Sequence, residues 1–384
     1  MRTLGDRLRE LRKRHGLSQR ELAASSGVSV SLIRKLEQGE REDTRMETLR
    51  KLAAALDLPT TMLVQNAPAP ADAEDTAWEP VRRALASPGG DAILESATED
   101  GLARALSAAV KLYHDNRYQD LARVLPGLLR DAENASPPLR SRVNQLTGSL
   151  LVQTRQRAAA RIALDRSVAD AEASGSALDA ASSVITLCWL LLLERQFDQV
   201  WSLATGWAGQ IEPRLSAATT AEISTWGWLL LRASAAAIRD NRPSEAADTM
   251  RLAQAAAAAT RPSQRPYHSY WTTFGPATVA MKQVENAVID GKPDTALLLA
   301  ASVPASLRPT SDNRNRHLLD VAAAHLALRH YPETFDVLFR LSKEAPAWLA
   351  HQRLAKDLLG AIVTQRRTLT PGMRELAATI NLPV

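Results

Sequence analysis

One cysteine in 384 residues excludes an intrachain disulfide framework and any zinc site built from several cysteines. Aromatic residues are scarce at 4%, and 17 glycines and 20 prolines are too few for a collagen-like or low-complexity chain. No apolar run approaches the roughly 20 residues of a membrane helix. The longest, VITLCWLLLL from Val184 to Leu193, stops at half that length. The start, MRTLGDRLRELRKRHG, is charged and lacks the apolar stretch of a secretory signal, so a cytoplasmic protein without membrane attachment is expected. Phosphate-loop, dinucleotide-loop and H-E-x-x-H patterns are all missing. His317, His325 and His330 do not have zinc-site spacing. Cys188, inside the apolar run, reads as packed and unreactive. An enzyme, a metal and a cofactor are therefore not expected. Strand-like alternation is essentially lacking too, which points to an all-α fold.

Charge is present but unevenly spread. Residues 1–65 carry a formal +4, residues 66–100 carry −6, and the remainder carries +7. This divides the chain into a basic head (1–65), an acidic linker (66–97) with one short helix near Trp78 to Leu85, and a long helical body (98–384). The linker opens with Asn66-Ala67-Pro68-Ala69-Pro70-Ala71, which cannot continue a helix.

The head reads as five short helices. Leu4, Leu8 and Leu11 share one face of a helix ending at Gly16. Ser18 and Glu21 form a capping box for a second helix, which carries Leu22 and Ala23 inward and stops at Ser26-Gly27. Ser29 caps a third, with Ile33 and Leu36 inward; Val30, Ser31, Arg34 and Lys35 then project away from that core pair. A fourth helix carries Met46, Leu49, Leu52, Ala53 and Leu56, and a short fifth follows Pro59.

The run from Leu17 to Gly39 has the pattern L-S-Q-x-E-L-A, then G-V-S, then I-x-x-L-E-x-G. It resembles the helix-turn-helix of Cro/CI-type repressors, the XRE family, over about 60 residues. The resemblance implies a lambda-repressor-like head whose third helix enters the major groove of double-stranded operator DNA by its N-terminal turn. Ser29, Val30, Ser31, Arg34 and Lys35 would then face base edges, with Arg34 or Lys35 donating to guanine and Val30 touching a thymine methyl. Gln19, Arg41 and Arg45 would contact phosphate. Arg12 and Glu37 would form an ion pair internal to the head. Two features depart from the pattern's usual chemistry. The third helix has no Gln or Asn at its base-facing positions, and Glu40, Glu42 and Asp43 make the following loop acidic.

In the body a polar turn followed by an aromatic or proline recurs near positions 117, 196, 242, 292 and 331, with a weaker joint near 157, giving steps of 39 to 50 residues. This predicts an α-solenoid of six or seven helix pairs, somewhat longer than tetratricopeptide units. A Cro/CI-type head on such repeats resembles actinobacterial regulators and the Rap, PlcR and Rgg receptors in architecture, which implies effector control. Six of the eight tryptophans fall between residues 189 and 271. Trp226 and Trp228, two apart, face different sides of one helix. With Arg265, Tyr267, Tyr270 and Trp271 they are the candidate ligand-binding residues; Asn286, Asn313 and Asn315 are weaker ones.

The reading is a dimeric, sequence-specific transcriptional regulator, nucleoid-associated when bound to DNA. Its partners would be operator DNA, a second copy of itself, and a small-molecule or peptide effector in the body. The competing reading is an interaction scaffold whose DNA-binding head is a tether.

Overall fold

Each helix of the head begins where a side chain can satisfy its free N–H groups. Thr3 caps α1 (Leu4–Arg14), and Ser18 caps α2 (Gln19–Ser26) with Glu21 returning the bond. Ser29 caps α3 (Val30–Glu37). Then come α4 (Met46–Ala55) and α5 (Thr61–Val64). Leu8, Leu22, Ile33, Leu36, Leu49, Leu52 and Leu56 form one apolar cluster, each essentially without solvent contact. Gly27 turns between α2 and α3 at φ 67, where a side chain would be strained. At Gly5, α1 approaches α3 so closely that a Cβ would collide with the Leu36 carbonyl.

The computed structural model describes residues 3–41, 44–64, 76–86, 97–260, 267–269, 272–303, 311–365 and 368–383. After the head, a 3-10 turn (Thr76–Trp78) leads into α6 (Glu79–Ala86), which packs on the body. Six helix pairs follow. They are α7 (Glu99–His114) with α8 (Tyr118–Ala132), α9 (Pro137–Gln153) with α10 (Arg157–Ala173), and α11 (Ala177–Leu193) with α12 (Phe197–Gln210). Next are α13 (Thr220–Arg239) with α14 (Pro243–Ala259), α15 (Pro276–Ile289) with α16 (Pro293–Ala301), and α17 (Ser311–Ala327) with α18 (Tyr331–Glu344). Shorter helices α19 (Pro346–Ala350), α20 (Arg353–Val363) and α21 (Pro371–Thr379) end the array.

The same turn joins the two helices of every pair. Asn116, Arg155, Arg195, Asn241, Gly291 and Arg329 all take the left-handed conformation, with φ between 56 and 72. The N–H of the next residue then donates to the carbonyl five back, at 2.8–3.0 Å, closing the end of the first helix. Five of these six residues are not glycine, each at a cost of about 1 kcal/mol.

The first helices of successive pairs pack on one another, α7 on α9, α9 on α11, and onward to α17. Helices sandwiched in this way are covered on most sides, so α9, α11 and α13 bury nearly their whole length, and polar side chains among them, such as Ser141, Gln145 and Thr147 of α9, are hydrogen-bonded. The array curves until its ends meet. The Tyr118 hydroxyl donates to Asp312 Oδ1 at 3.3 Å, and Trp78 sits edge-on to His351 at 6.0 Å.

One element departs from the all-helical expectation. Tyr267–Ser269 and Thr272–Phe274 form an antiparallel pair, β1 and β2, with Tyr267 opposite Phe274. The Trp228 indole N–H donates to the Thr273 carbonyl at 3.1 Å, holding the hairpin on α13. Its strands are too short for period-two patterning to mark them in the sequence.

Candidate nucleic-acid interface and central cavity

The axial rotation of α3 is fixed from below by one carboxylate. Glu37 accepts from Arg12 through both oxygens, at 2.6 and 2.7 Å, and from Gln19 Nε2 at 2.8 Å. Arg12 also donates to the Leu17 carbonyl at 2.7 Å. The three helices α1, α2 and α3 are thereby tied at one point. Burial alone would raise the Glu37 carboxyl, but the bonds from Arg12 and Gln19 outweigh it and hold the group below its ordinary value. The hydrogen bond to Glu37 raises the Arg12 guanidinium in turn.

With Ile33 and Leu36 locked inward, Ser29, Val30, Ser31, Arg34 and Lys35 are exposed along the opposite face. Arg34 and Lys35 have no ion-pair partner among the described residues. The free N–H groups of the first turn of α3 lie at the same end as Val30 and Ser31, where the helix dipole favours anions. Gln19 opens α2 beside this face, half-buried, and Arg41 follows α3 exposed. The surface has the shape and charge to enter a major groove.

The helix-turn-helix family model matches residues 8–63. The head is a helix-turn-helix domain of the XRE family. An uncharacterized HTH-type transcriptional regulator, RghRB of Bacillus subtilis, is 40% identical over 67 residues, covering 17% of this chain and 48% of that protein. The HTH-type transcriptional repressor RghR of the same organism is 39% identical over 67 residues, 17% of this chain and 50% of its own. The chain thus spans about half the length of the curated relatives it matches. No solved structure matches it.

The helix-turn-helix domain is docked on the body through α4 and α5. Arg50 donates to the carbonyls of Ile238 (3.2 Å) and Ile289, and pairs with Asp290 at 2.8 Å. The Thr61 N–H donates to Asp240 Oδ1 at 2.8 Å, and the Thr60 N–H to the Asp240 carbonyl at 3.3 Å. Arg195 reaches the Thr44 carbonyl at 3.4 Å. Residues 195, 240 and 290 belong to three successive pair turns, so the domain rests on a ridge of turns. Burial raises the Asp240 carboxyl, partly offset by its bonds from Thr61. Arg45 lies 3.9 Å from Asp357 of α20, on the body side.

Inside the body the inward helices surround a cavity of about 240 Å³. Its lining includes Tyr113 of α7, Gln153 of α9, Trp189 of α11, Trp228 and Arg232 of α13, and Asn313 of α17. Asp312 lines it as well. Burial pushes its carboxyl up to about 6, against bonds from Tyr113, Gln153 and Tyr118. Arg155 is pushed down by burial and then by Arg157 and Arg353, and Arg232 is pushed down chiefly by burial.

Of the candidate ligand residues, Trp228 lines this cavity and Trp226, 7% exposed, does not. Arg265, Tyr270 and Trp271 lie outside the described residues, and of Tyr267 only the backbone is described. Asn313 lines the cavity, Asn315 is buried, and Asn286 donates to Ser234 Oγ at 2.8 Å. Sequence reasoning missed Arg155, Arg232, Asp312 and Trp348 as a group, along with the docking role of Arg50. A faint signal existed for Arg155, since it stands in one of the recurrent polar turns. Cys188 is fully buried, and burial pushes its thiol up to about 12. Among the described residues no cluster fits a metal ion, and no helix is long and apolar enough to cross a membrane.

Proposed function

We propose that the protein is a dimeric, sequence-specific DNA-binding transcriptional regulator whose affinity for DNA is set by an effector, a small molecule or peptide, in the C-terminal helical body. In this reading residues 1–65 are the DNA-binding head, 66–97 the joint, and 98–384 the tetratricopeptide-like body that dimerises and senses. Ser29, Val30, Ser31, Arg34 and Lys35 read bases, while Gln19 and Arg41 hold phosphates; Arg45, turned toward Asp357, belongs to the seam with the body. Arg12 and Glu37 keep α3 at the right rotation.

The observation that supports this most is the orientation of the docked head. The body grips α4 and α5, and the outward face of α3 stays exposed. A head held by its back can read DNA while its position is dictated by the body. Two polar routes run from the cavity lining to the head. Arg353 neighbours Asp357, which neighbours Arg45. Lys282 pairs with Glu285, which pairs with Arg239 one residue from the Ile238 carbonyl that Arg50 holds. In a dimer, a small change along the ridge of turns alters the separation of the two heads and breaks simultaneous contact with both half-sites. A coupling of about 1–3 kcal/mol changes DNA affinity about 5–150-fold.

The test is selection of duplexes from a random DNA pool by the full-length protein at near-physiological salt. A palindrome with half-sites about 10 bp apart is expected. Binding that is salt-sensitive but blind to sequence would overturn the reading.

A further inference from the structure

The cavity has a charge imbalance that its own residues do not resolve. Three of the cations at its wall have a carboxylate neighbour: Lys282 lies 2.7 Å from Glu285, Arg316 lies 3.1 Å from Asp320, and Arg353 lies 3.8 Å from Asp357. Arg155 and Arg232 have no carboxylate at ion-pair distance among the described residues; Asp357 and Glu285 act on them only from farther away. Arg232 donates from Nε to the Ile185 carbonyl and lies 5.3 Å over the Trp228 ring, which leaves its outer nitrogens for another acceptor. Arg155 occupies a left-handed backbone position, φ 66, that a glycine would occupy more easily. The wall's one carboxylate, Asp312, already accepts from the Tyr118 hydroxyl.

Unsatisfied donors mark the same place. Trp348 lines the cavity and is 2% exposed, and its buried indole N–H has no acceptor. The Asn313 side-chain amide, also in the wall, has a buried nitrogen without a partner. Buried donors are nearly always paired, and leaving one unpaired is unfavourable. Here donors and positive charge converge, the reverse of what a cation or an amine would need. The rest of the wall is mixed: the indoles of Trp189 and Trp228, the Tyr113 ring and aliphatic side chains offer flat apolar surface, and Ser149, Gln153 and Thr186 add polar groups. A volume of about 240 Å³ suits a small molecule.

We propose that the cavity binds a small organic anion with a flat apolar body, the anionic group meeting Arg155, beside Arg157 and Arg353, and an acceptor atom meeting Trp348 Nε1. This rests on the reading of the body as the effector-binding part and narrows it to a ligand class. A charge-assisted bond to a guanidinium gives the anchor, and contact between indoles and a flat ring excludes water around it.

Full-length protein is titrated with benzoate, indole-3-acetate, phenyl phosphate and the neutral benzamide, followed by calorimetry and tryptophan fluorescence. At least one anion is expected to bind with benzamide at least about tenfold weaker. Preference between the carboxylates and the phosphate identifies the anionic group. Arg155→Gly, which suits the left-handed turn, is expected to weaken the anion about tenfold or more while unfolding at a denaturant midpoint no lower than that of the wild type. Trp348→Phe, which removes the N–H and keeps an aromatic ring, is expected to weaken it about fivefold. Benzamide binding as well as benzoate, an Arg155→Gly protein of unchanged affinity, or no binding by any of the three anions would each overturn the proposal. These titrations contain no DNA, so they stand apart from the regulator reading. Anion binding that leaves operator affinity unchanged would keep the site and overturn effector control.

Discussion

Arginine does opposite work in the two regions of this molecule. In the helix-turn-helix domain, Arg34 stands with Lys35 on an exposed face without ion-pair partners. In the body, Arg155 and Arg232 are turned inward, half-buried, around a cavity. A solvated cation costs little to keep and gains when it meets the dense negative charge of DNA. A half-buried cation without a carboxylate is unfavourable until something anionic arrives. The contrast teaches that the +5 formal charge of the chain is a poor guide to its chemistry. Where the cations sit, and whether water reaches them, decides what they can hold.

The largest effect should come from the pair that holds the reading face in place. Arg12→Ala leaves the buried Glu37 carboxylate with only the Gln19 amide, and the head should lose about 2–4 kcal/mol in chemical denaturation. A loss below about 1 kcal/mol would mean the recognition helix is oriented by packing alone. Next is the reading face. Arg34→Ala combined with Lys35→Ala should cost about 2–4 kcal/mol of discrimination between a selected operator and random DNA, with the thermal midpoint unchanged. Equal discrimination by mutant and wild type would move the base-reading role elsewhere.

The body offers a pH-dependent contrast. Asp312 is raised to about 6 in the folded protein, so that state keeps a proton the unfolded chain releases near pH 4. Its contribution to stability is therefore full at low pH and falls as pH rises from about 4 to 6. Asp312→Asn should remove that fall, making the variant the more stable protein above pH 6 by up to about 3 kcal/mol. Below about pH 4 the two should converge. Parallel stability curves for the two proteins between pH 4 and 8 would refute the assignment. The smallest effect is at the docking seam. Arg50→Ala removes the pair with Asp290 and should speed amide exchange of Thr60 and Thr61, an opening made easier by about 1–2 kcal/mol. Unchanged exchange there would show that the remaining contacts hold the domain on the ridge.

What the sequence revealed follows the reach of its interactions. The helix-turn-helix domain was legible because its determinants are local. Ser18 and Glu21 cap one helix, Gly27 makes the turn, and Ile33 and Leu36 repeat on one face. The pair turns were legible for the same reason, since each closes within a few residues around Asn116, Arg155 or Asn241. The cavity was not. Tyr113, Arg232, Asp312 and Trp348 come from helices that meet only when the array closes on itself, and no spacing in the sequence records that. Tryptophan density drew attention to the right helices but could not separate Trp228, which lines the cavity, from Trp226, which packs beside it. Docking of the domain depends on Arg50 meeting Asp290, a contact spanning most of the chain.

The regulator proposal requires that the exposed face of α3 and the inward-facing cavity be coupled through the ridge of turns. The most direct measurement is the affinity of full-length protein for its selected operator at fixed salt, with and without a saturating cavity anion. Coupling should change that affinity about 5–150-fold in either direction, and the change should be lost in Arg155→Gly. Identical operator affinity, with cavity occupancy verified in the same sample by tryptophan fluorescence, would contradict it.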